Sequence, residues 1–298
     1  MLPRLFPYFG SKSSIAADVW AVLGDPPLYV EPFAGTASVL LARPTAGRTE
    51  ILSDADPWLV NLWRTLQREP LELIPEFDGW PVSEVDLHAR QAWLAAGMGA
   101  AAAMARDPGW HDPVAAARFL YVMTCSMVPT QGTGPWVLAG GRLVRGAPGS
   151  GISRGLPTLS DARRGVLGMG NLPEVLLAHQ SRLRGVEVLC GDWSEAIPAS
   201  GDAAVLLDPP YEVCGDLYAH GDGSVSGAVR AWCRDRMPAG WRVVLCGYGS
   251  EHDALLEHGW RSTAGRAANS GFGAVFAASR ERVWWSPACV PVEQGSLF

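Results

Sequence analysis

Short apolar runs alternate with amphipathic stretches along much of the chain, and this pattern predicts alternating strands and helices. Strands are expected at Leu28–Glu31, Glu50–Ser53, Glu187–Cys190, Ala203–Leu207 and Arg242–Cys246, with a final pair near Trp260–Thr263 and Arg282–Trp285. Helices are expected at Ser13–Leu23, near Thr36–Ala42, at Pro57–Arg68 and at Pro173–Leu183. Such alternation is typical of an α/β fold, in which helices cover both faces of a mostly parallel sheet.

The middle of the chain breaks this alternation. Residues 87–125 are rich in Ala, Leu and Met, which favours helices, with a break at Asp107-Pro108-Gly109. Residues 136–145 are typical of a β-hairpin that turns at Gly140-Gly141, and residues 146–170 are rich in Gly, Pro and Ser. We therefore predict an inserted, mainly helical second domain over residues 68–170, with its hairpin near 136–146. The α/β domain would comprise residues 1–67 and 171–298, with a tail over 287–298.

Composition limits the class of protein. Hydrophobic residues make up 48% of the 298 positions and charged residues 18%, which is enough for a large buried core. The chain has no run of eighteen apolar residues and no signal-peptide pattern at its start, so a soluble protein of the cytoplasm is expected. The six cysteines are scattered without a C-x-x-C pair. We therefore expect reduced, mostly buried thiols, with no disulfide scaffold and no metal site.

The positive charges are unevenly distributed. The net charge is −6, yet residues 139–185 hold seven arginines and two acidic residues, a local net charge of +5. A basic segment on an acidic body suits a protein that binds the phosphates of double-stranded DNA with one part only, and a solvated arginine-rich loop is the equally open alternative. Arg142 and Arg145 lie three positions apart across the expected turn, and with Arg154 they are the candidate DNA contacts.

The strongest chemical motif is Asp208-Pro209-Pro210-Tyr211, directly after the apolar run Ala203–Leu207. It falls at the carboxyl edge of the sheet, where open α/β folds bind ligands. An exocyclic amine of a nucleobase is a poor nucleophile, because its lone pair is delocalised into the ring. Asp208 can accept one N–H and the Pro209 carbonyl the other, which aims the lone pair at a methyl donor while Tyr211 stacks on an extruded base. An ordinary Pro-Pro turn with a capping Asp is the alternative.

Three further strand ends carry residues suited to a cofactor. The Glu31–Ala37 stretch is a tight turn of small residues before a helix, where backbone amides favour a carboxylate and Glu31 would lie near an ammonium. Asp54 ends the next strand, where such folds hold ribose hydroxyls, although helix capping by Asp54 or Asp56 explains it equally simply. Asp192-Trp193 offers a carboxylate and a ring face that suit an adenine, or is a turn Asp beside a buried Trp.

Lys12 is the only lysine among 24 basic residues. In a chain where Arg otherwise replaces Lys, one retained lysine indicates either chemistry that a guanidinium does not supply or chance. The surrounding segment is not a phosphate-binding P-loop, because Ser11 and Phe6 stand where that loop needs glycine.

Together these motifs resemble the Dam-type, alpha-group family of DNA adenine N6-methyltransferases, and residues after Val244 resemble its phage and actinobacterial members. The resemblance implies a class I methyltransferase with a seven-stranded sheet and an inserted target-recognition domain over residues 68–170. Such an enzyme transfers the methyl group of S-adenosyl-L-methionine to a flipped adenine and leaves S-adenosyl-L-homocysteine. The implied catalytic residues are Asp208, Pro209, Pro210 and Tyr211. The implied cofactor-binding residues are Tyr8, Gly10, Lys12, Glu31, Phe33, Ala34, Gly35, Thr36, Ala37, Asp54, Asp192, Trp193 and Asp208.

The chain departs from this family in two places. The family usually has a second glycine where Ala37 stands. It also often has an Asn-Arg…Phe-Asn-Gly element before the hairpin, which residues 121–132 of this chain lack.

Other functions are open to the same sequence. An N4-cytosine DNA methyltransferase uses the same amine chemistry, but that group more often has Ser in place of Asp208. A catalytically silent DNA-binding or anti-restriction protein on this scaffold is the alternative of another class. RNA or protein-glutamine methylation fits the order of the motifs less well. A fused nuclease of the D…E-x-K type is excluded, because the only lysine lies in the cofactor motif.

The tail carries a further short motif, Gln294-x-x-Leu297-Phe298. It resembles the peptide by which bacterial replication proteins dock on the sliding clamp. Leu297 and Phe298 would fill an apolar pocket while Gln294 hydrogen-bonds at its rim, and a frayed terminus is the alternative.

Overall fold

The computed structural model describes residues 2–6, 11–45, 48–77, 84–97, 99–125, 136–139, 142–145, 171–212, 224–264 and 281–291. Its helices are α1 (Ala16–Leu23), α2 (Ser38–Leu41), α3 (Pro57–Arg68), α4 (Ile74–Phe77), α5 (Glu84–Ala95), α6 (Ala100–Arg106), α7 (Pro113–Cys125), α8 (Leu172–Leu183) and α9 (Ser224–Asp235). Its strands are β1 (Leu28–Glu31), β2 (Thr49–Asp54), β3 (Trp136–Ala139), β4 (Arg142–Arg145), β5 (Val186–Cys190), β6 (Ala203–Leu207), β7 (Arg242–Tyr248), β8 (Arg261–Ala264) and β9 (Glu281–Trp285). Short 3₁₀ segments lie at Lys12–Ser14, Pro70–Leu73, Trp193–Ala196 and Asp253–His258.

Seven strands form one sheet in the order β5-β2-β1-β6-β7-β9-β8, which confirms the predicted α/β fold with a mostly parallel sheet. Strand β1 pairs in parallel with β2 and with β6, and β6 pairs in parallel with β7. Strand β9 runs antiparallel to β7 and β8. The strand order therefore reverses at β1, between β2 and β6, and open α/β sheets bind ligands outside the carboxyl ends of the strands at such a point.

The chain divides into two compact units. One comprises Met1–Ser11, Asp54–Arg184 and Val188–Cys190, and the other comprises Lys12–Ser53, Gly185–Glu187 and Gly191–Phe298. Helices α3 to α8 all belong to the first unit, which contains the whole of the predicted insertion. The role of residues 68–170 in target recognition stays a prediction.

Helix α3 organises the first unit and begins and ends where the sequence predicts. The Asp56 side chain accepts hydrogen bonds from the backbone N–H of Trp58 (2.8 Å) and Leu59 (3.4 Å), and Pro57 begins the helix without needing a donor. Its apolar side chains recur at helical spacing and are fully buried: Leu59, Leu62, Trp63 and Leu66. Within this unit α3 packs against α7 and α8, so burial of that face stabilises the helix more than its intrinsic propensity does.

The predicted hairpin is present, but its arginines are arranged differently from expectation. Strands β3 and β4 pair antiparallel, with Ala139 opposite Arg142 and Trp136 opposite Arg145. Arg142 and Arg145 therefore lie on the same strand, at its two ends, and not across the turn. Arg154 and the tail motif Gln294, Leu297 and Phe298 lie outside the described residues, so their roles stay predictions.

Three other expectations concern bulk properties. Cys190, Cys233, Cys246 and Cys289 carry free thiols, and all except Cys190 are buried. Within the part of the chain that the structure describes, no helix combines the length and apolar character needed to cross a membrane. Among those same residues, no group of three or more His, Cys, Asp and Glu side chains is placed to hold a metal ion.

Candidate active site

Two carboxylates lie at the carboxyl ends of neighbouring strands. Glu31 is the last residue of β1, and Asp208 directly follows β6. Because β1 and β6 are parallel partners, with Val30 opposite Val205, both strand ends lie at the same edge of the sheet. The two side chains are close enough that the Asp208 charge contributes to raising the pKa of Glu31. The predicted catalytic motif and the predicted cofactor turn thus meet at the reversal of strand order.

Lys12 contacts the Asp208–Tyr211 motif directly. Its ammonium lies 2.9 Å from Asp208 Oδ2 and donates a hydrogen bond of 2.9 Å to the Tyr211 hydroxyl. That hydroxyl in turn donates to Asp208 Oδ1 at 3.3 Å. Burial raises the pKa of Asp208 above its ordinary value, while the Lys12 ammonium and the Tyr211 hydroxyl act in the opposite direction. Lys12 therefore favours the ionised form of Asp208, the form that accepts hydrogen bonds.

Glu31 is almost wholly buried, with 4% of its surface exposed. Its Oε2 accepts hydrogen bonds from the Tyr29 hydroxyl (3.0 Å) and from the backbone N–H of Leu40 (2.9 Å), which ties β1 to α2. Among the described residues, none donates a hydrogen bond to Oε1. Burial raises the pKa of Glu31 from 4.5 to about 8, because the two hydrogen bonds offset only part of the cost of desolvating a carboxylate. Glu31 thus has a structural role, and its Oε1 has no donor within the part of the chain that the structure describes.

The turn after Glu31 places a residue with a Cβ, Ala37, in the left-handed region of backbone conformation. Gly35 and Ala37 both adopt left-handed backbone conformations, with φ of 45° and 48°. The turn closes through a hydrogen bond from Ala37 N–H to the Ala34 carbonyl (2.6 Å), and Ala34 N–H donates to Ser53 on β2 (2.9 Å). Glycine adopts this region freely, whereas a residue with a Cβ pays about 1–2 kcal/mol. Ala37 is therefore accommodated with backbone strain at the start of α2.

Two aromatic rings lie beside this turn. Phe33 and Trp193 are nearly parallel, with ring centroids 6.2 Å apart and planes inclined by 21°. The edge of Trp232 from α9 packs against Trp193 at 6.1 Å and fixes the indole from one side. The exposed Asp192 precedes Trp193 and accepts a hydrogen bond from Ser194 N–H at 2.9 Å. This arrangement offers flat apolar surfaces next to an exposed carboxylate, which suits a purine ring.

The positions of the remaining predicted cofactor residues do not point to a cofactor. Asp54 ends β2, and its Oδ1 accepts a hydrogen bond from Asp56 N–H at 3.0 Å. Asp54 thus supports Asp56, the residue that caps α3, in line with the equally simple capping alternative for this pair. Tyr8 and Gly10 lie outside the described residues.

Three site residues went unrecognised in the sequence. Tyr29 donates to Glu31, and strand alternation, which puts residues two apart on one face, is the signal that could have found it. Tyr248 ends β7, and its ring lies 6.4 Å from that of Tyr211 with planes inclined by 28°. Glu251 accepts a hydrogen bond from the backbone N–H of Glu212, which is the residue that follows Tyr211. Neither Tyr248 nor Glu251 carries a local signal, because their importance depends on which strand lies next to β6.

Comparison with known proteins supports one family. A search among curated proteins finds no match to the chain. The matching family model covers the segment with Lys12, the Glu31–Ala37 turn and Asp54, while the Asp208–Tyr211 motif lies outside it and is a separate observation. Over residues 8–85, the chain is similar to the D12 class N6 adenine-specific DNA methyltransferase family.

Proposed function

We propose that this chain transfers the methyl group of S-adenosyl-L-methionine to the N6 amine of adenine in DNA. The observation that carries the proposal is the placement of Asp208 and Glu31 together at the strand-order reversal, with Lys12 on Asp208. The first carboxylate suits the amine, and the second suits the ammonium of an amino-acid cofactor. The family match names adenine and favours it over cytosine, for which Ser would be more usual at position 208.

The residues present fit this cofactor. Oε1 of Glu31 is free to accept from the methionine ammonium, and the strained Gly35–Ala37 turn lets the cofactor approach the backbone closely. Phe33 and Trp193 would contact the adenine ring, with Asp192 accepting from its amine. The cofactor supplies a methyl group activated by a sulfonium.

Asp208 and Pro209 would act on the base. Asp208 accepts one N–H of the amine and the Pro209 carbonyl accepts the other, which directs the nitrogen lone pair at the methyl group. These interactions strengthen as positive charge develops on the nitrogen, so they favour the transition state over the ground state. Tyr211 is only 3% exposed, so a base that stacks on it must displace groups that now cover the ring.

The direct test is methylation of DNA in cells. The protein would be expressed in a host that lacks adenine methylation, and its DNA read by single-molecule sequencing. Adenine methylation at a recurring sequence is expected, and it should vanish with an Asp208→Asn variant. Methylated cytosine would favour the N4-cytosine alternative. An unmodified genome, with cofactor binding absent by calorimetry, would favour a silent DNA-binding protein.

A second prediction concerns Glu31. The folded-state pKa of about 8 lies above the ordinary 4.5, so the stability that Glu31 contributes is fully present below pH 4.5 and is lost as pH rises through 8. Glu31→Gln keeps the acceptor for Tyr29 and Leu40 without titrating. In urea unfolding, wild type and variant should have equal free energies of unfolding at pH 4, and the variant should be more stable at pH 8.5.

The same variant separates the structural role of Glu31 from its cofactor role. Other groups titrate in both proteins and cancel in the comparison. If Glu31 holds the methionine ammonium, Glu31→Gln should bind S-adenosyl-L-homocysteine more weakly than wild type at pH 8.5, although it is the more stable protein at that pH. Equal affinity would remove Glu31 from the cofactor site, and equal stability at both pH values would contradict its raised pKa.

DNA contacts are predicted for the arginines of β4. Replacing a phosphate contact at Arg142 or Arg145 by Ala should weaken binding to all DNA sequences alike and lower the salt slope of the affinity by about 1. Loss of a base contact should instead lower the affinity only for the DNA sequence that the protein recognises and methylates. Arg261→Ala, an exposed position at the start of β8, is the control. If both variants bind and methylate DNA as wild type does, the hairpin is not the DNA-binding element.

A further inference from the structure

The Glu251 carboxylate accepts hydrogen bonds from three separate segments. Its Oε1 accepts from the backbone N–H of Glu212 at 2.9 Å and from the hydroxyl of Ser226 on α9. Its Oε2 accepts from the backbone N–H of Tyr248 at 2.9 Å. Glu251 itself lies just beyond β7 and is half-buried. One side chain thus connects the end of the Asp208–Tyr211 motif, the end of β7 and the start of α9.

These contacts hold the backbone next to two tyrosines of the site. Glu212 directly follows Tyr211, and Tyr248 is the residue whose ring lies 6.4 Å from the Tyr211 ring. Arg230 on α9 adds a second connection, because its guanidinium donates to Glu212 Oε1 at 3.0 Å and to the Glu251 carbonyl at 2.6 Å. Glu251 therefore connects the backbone beside Tyr211 to the end of β7, in addition to the hydrogen bonds that the Tyr211 hydroxyl makes with Lys12 and Asp208.

The chemistry of this junction requires a carboxylate. All three partners are donors, and two are backbone N–H groups that cannot rotate away. An amide of the same shape has one acceptor oxygen and one NH₂ group, so one of the two backbone N–H groups would face another donor. The Glu212 contact is exposed and the Tyr248 contact is part-buried, so an N–H group that loses its acceptor can turn to water, and the connection between its backbone and position 251 is lost.

We propose that Glu251 is a positioning residue for methyl transfer, which holds Tyr211 where it acts together with Asp208. The inference rests on the proposed function, because it assigns Glu251 to the same reaction. Glu251 touches neither Asp208 nor Lys12 among the described contacts. Its effect on the reaction passes through the backbone of residues 211 and 212.

The test is Glu251→Gln, with Glu257→Gln as the matched control on the exposed side of the following 3₁₀ segment. A misplacement on the order of 1 Å costs up to about a hundredfold in rate, so we expect kcat of Glu251→Gln to fall by about tenfold to a hundredfold. The KM for S-adenosyl-L-methionine should stay within about twofold of wild type, since neither Glu31 nor Trp193 touches Glu251 among the described contacts. Glu257→Gln should have wild-type kcat.

A double-mutant cycle with Tyr211→Ala distinguishes positioning from general destabilisation. If Glu251 acts through Tyr211, adding Glu251→Gln to Tyr211→Ala should lower kcat little further, whereas independent effects would multiply.

Should Glu251→Gln not fold, Arg230→Met interrupts the same junction and should lower kcat in the same direction. A wild-type kcat in the folded variants, or full multiplication in the cycle, overturns the assignment. A wild-type protein that methylates no DNA overturns the proposed function as well, so the two failures are distinguishable.

Discussion

Asp208→Asn should lower kcat by about 10²–10³-fold, the range expected when one preorganised electrostatic contact to a transition state is lost. The carboxylate accepts from the reacting amine, whereas the amide offers a weaker acceptor without the negative charge that stabilises the developing cation. The measurement is single-turnover methylation of duplex DNA containing the sequence found in cells. Cofactor affinity, measured by calorimetry, should change much less than kcat.

Asparagine is preferable to alanine at this position. Lys12 is 6% exposed and is paired with Asp208 at 2.9 Å, so Asp208→Ala would remove the carboxylate partner of a buried ammonium. Such a loss destabilises the fold and would confuse a rate effect with a folding effect. Asp235→Asn, on the exposed end of α9, is the matched control and should leave kcat unchanged. Near-normal turnover by Asp208→Asn would remove Asp208 from the reaction.

Lys12→Met should move the acid limb of the pH–rate profile to higher pH. Burial already raises the pKa of Asp208, and Lys12 is the largest influence that lowers it. Without the ammonium the pKa of Asp208 rises further, and each pH unit below that pKa removes about nine-tenths of the ionised form that accepts the amine. The variant should therefore be slow at neutral pH and recover as the pH is raised.

Lys12→Arg is the control for charge. It keeps a cation near Asp208, so its acid limb should lie closer to that of wild type, although the planar guanidinium cannot reproduce both 2.9 Å contacts of the ammonium. A Lys12→Met profile that is lower than wild type at every pH, with an unchanged acid limb, would mean that Lys12 does not act through the ionisation of Asp208.

Several parts of the fold could be predicted from the sequence, because the residues that determine them lie close together in the chain. Helix α3 has its cap, its Pro at the first position and its apolar face within twelve residues, and the structure agrees with the prediction at both ends. The five apolar residues of β6 similarly predicted a strand with Asp208 at its carboxyl end. All five are buried in the structure. Helix α9 was not predicted, since its apolar positions are few and its partners are distant in the chain.

The sequence by itself determined helix α3, strand β6, the motif at positions 208–211 and the small-residue turn, because periodicity, capping and residue size act over a few neighbouring positions. Only the tertiary structure decided which of these meet. Lys12 and Tyr211 are 199 positions apart, and no pattern along the chain relates them. The junction at Glu251 likewise exists because β7 lies next to β6 in the sheet. The raised pKa of Glu31 has the same origin, since it depends on how completely the folded chain removes water from that carboxylate.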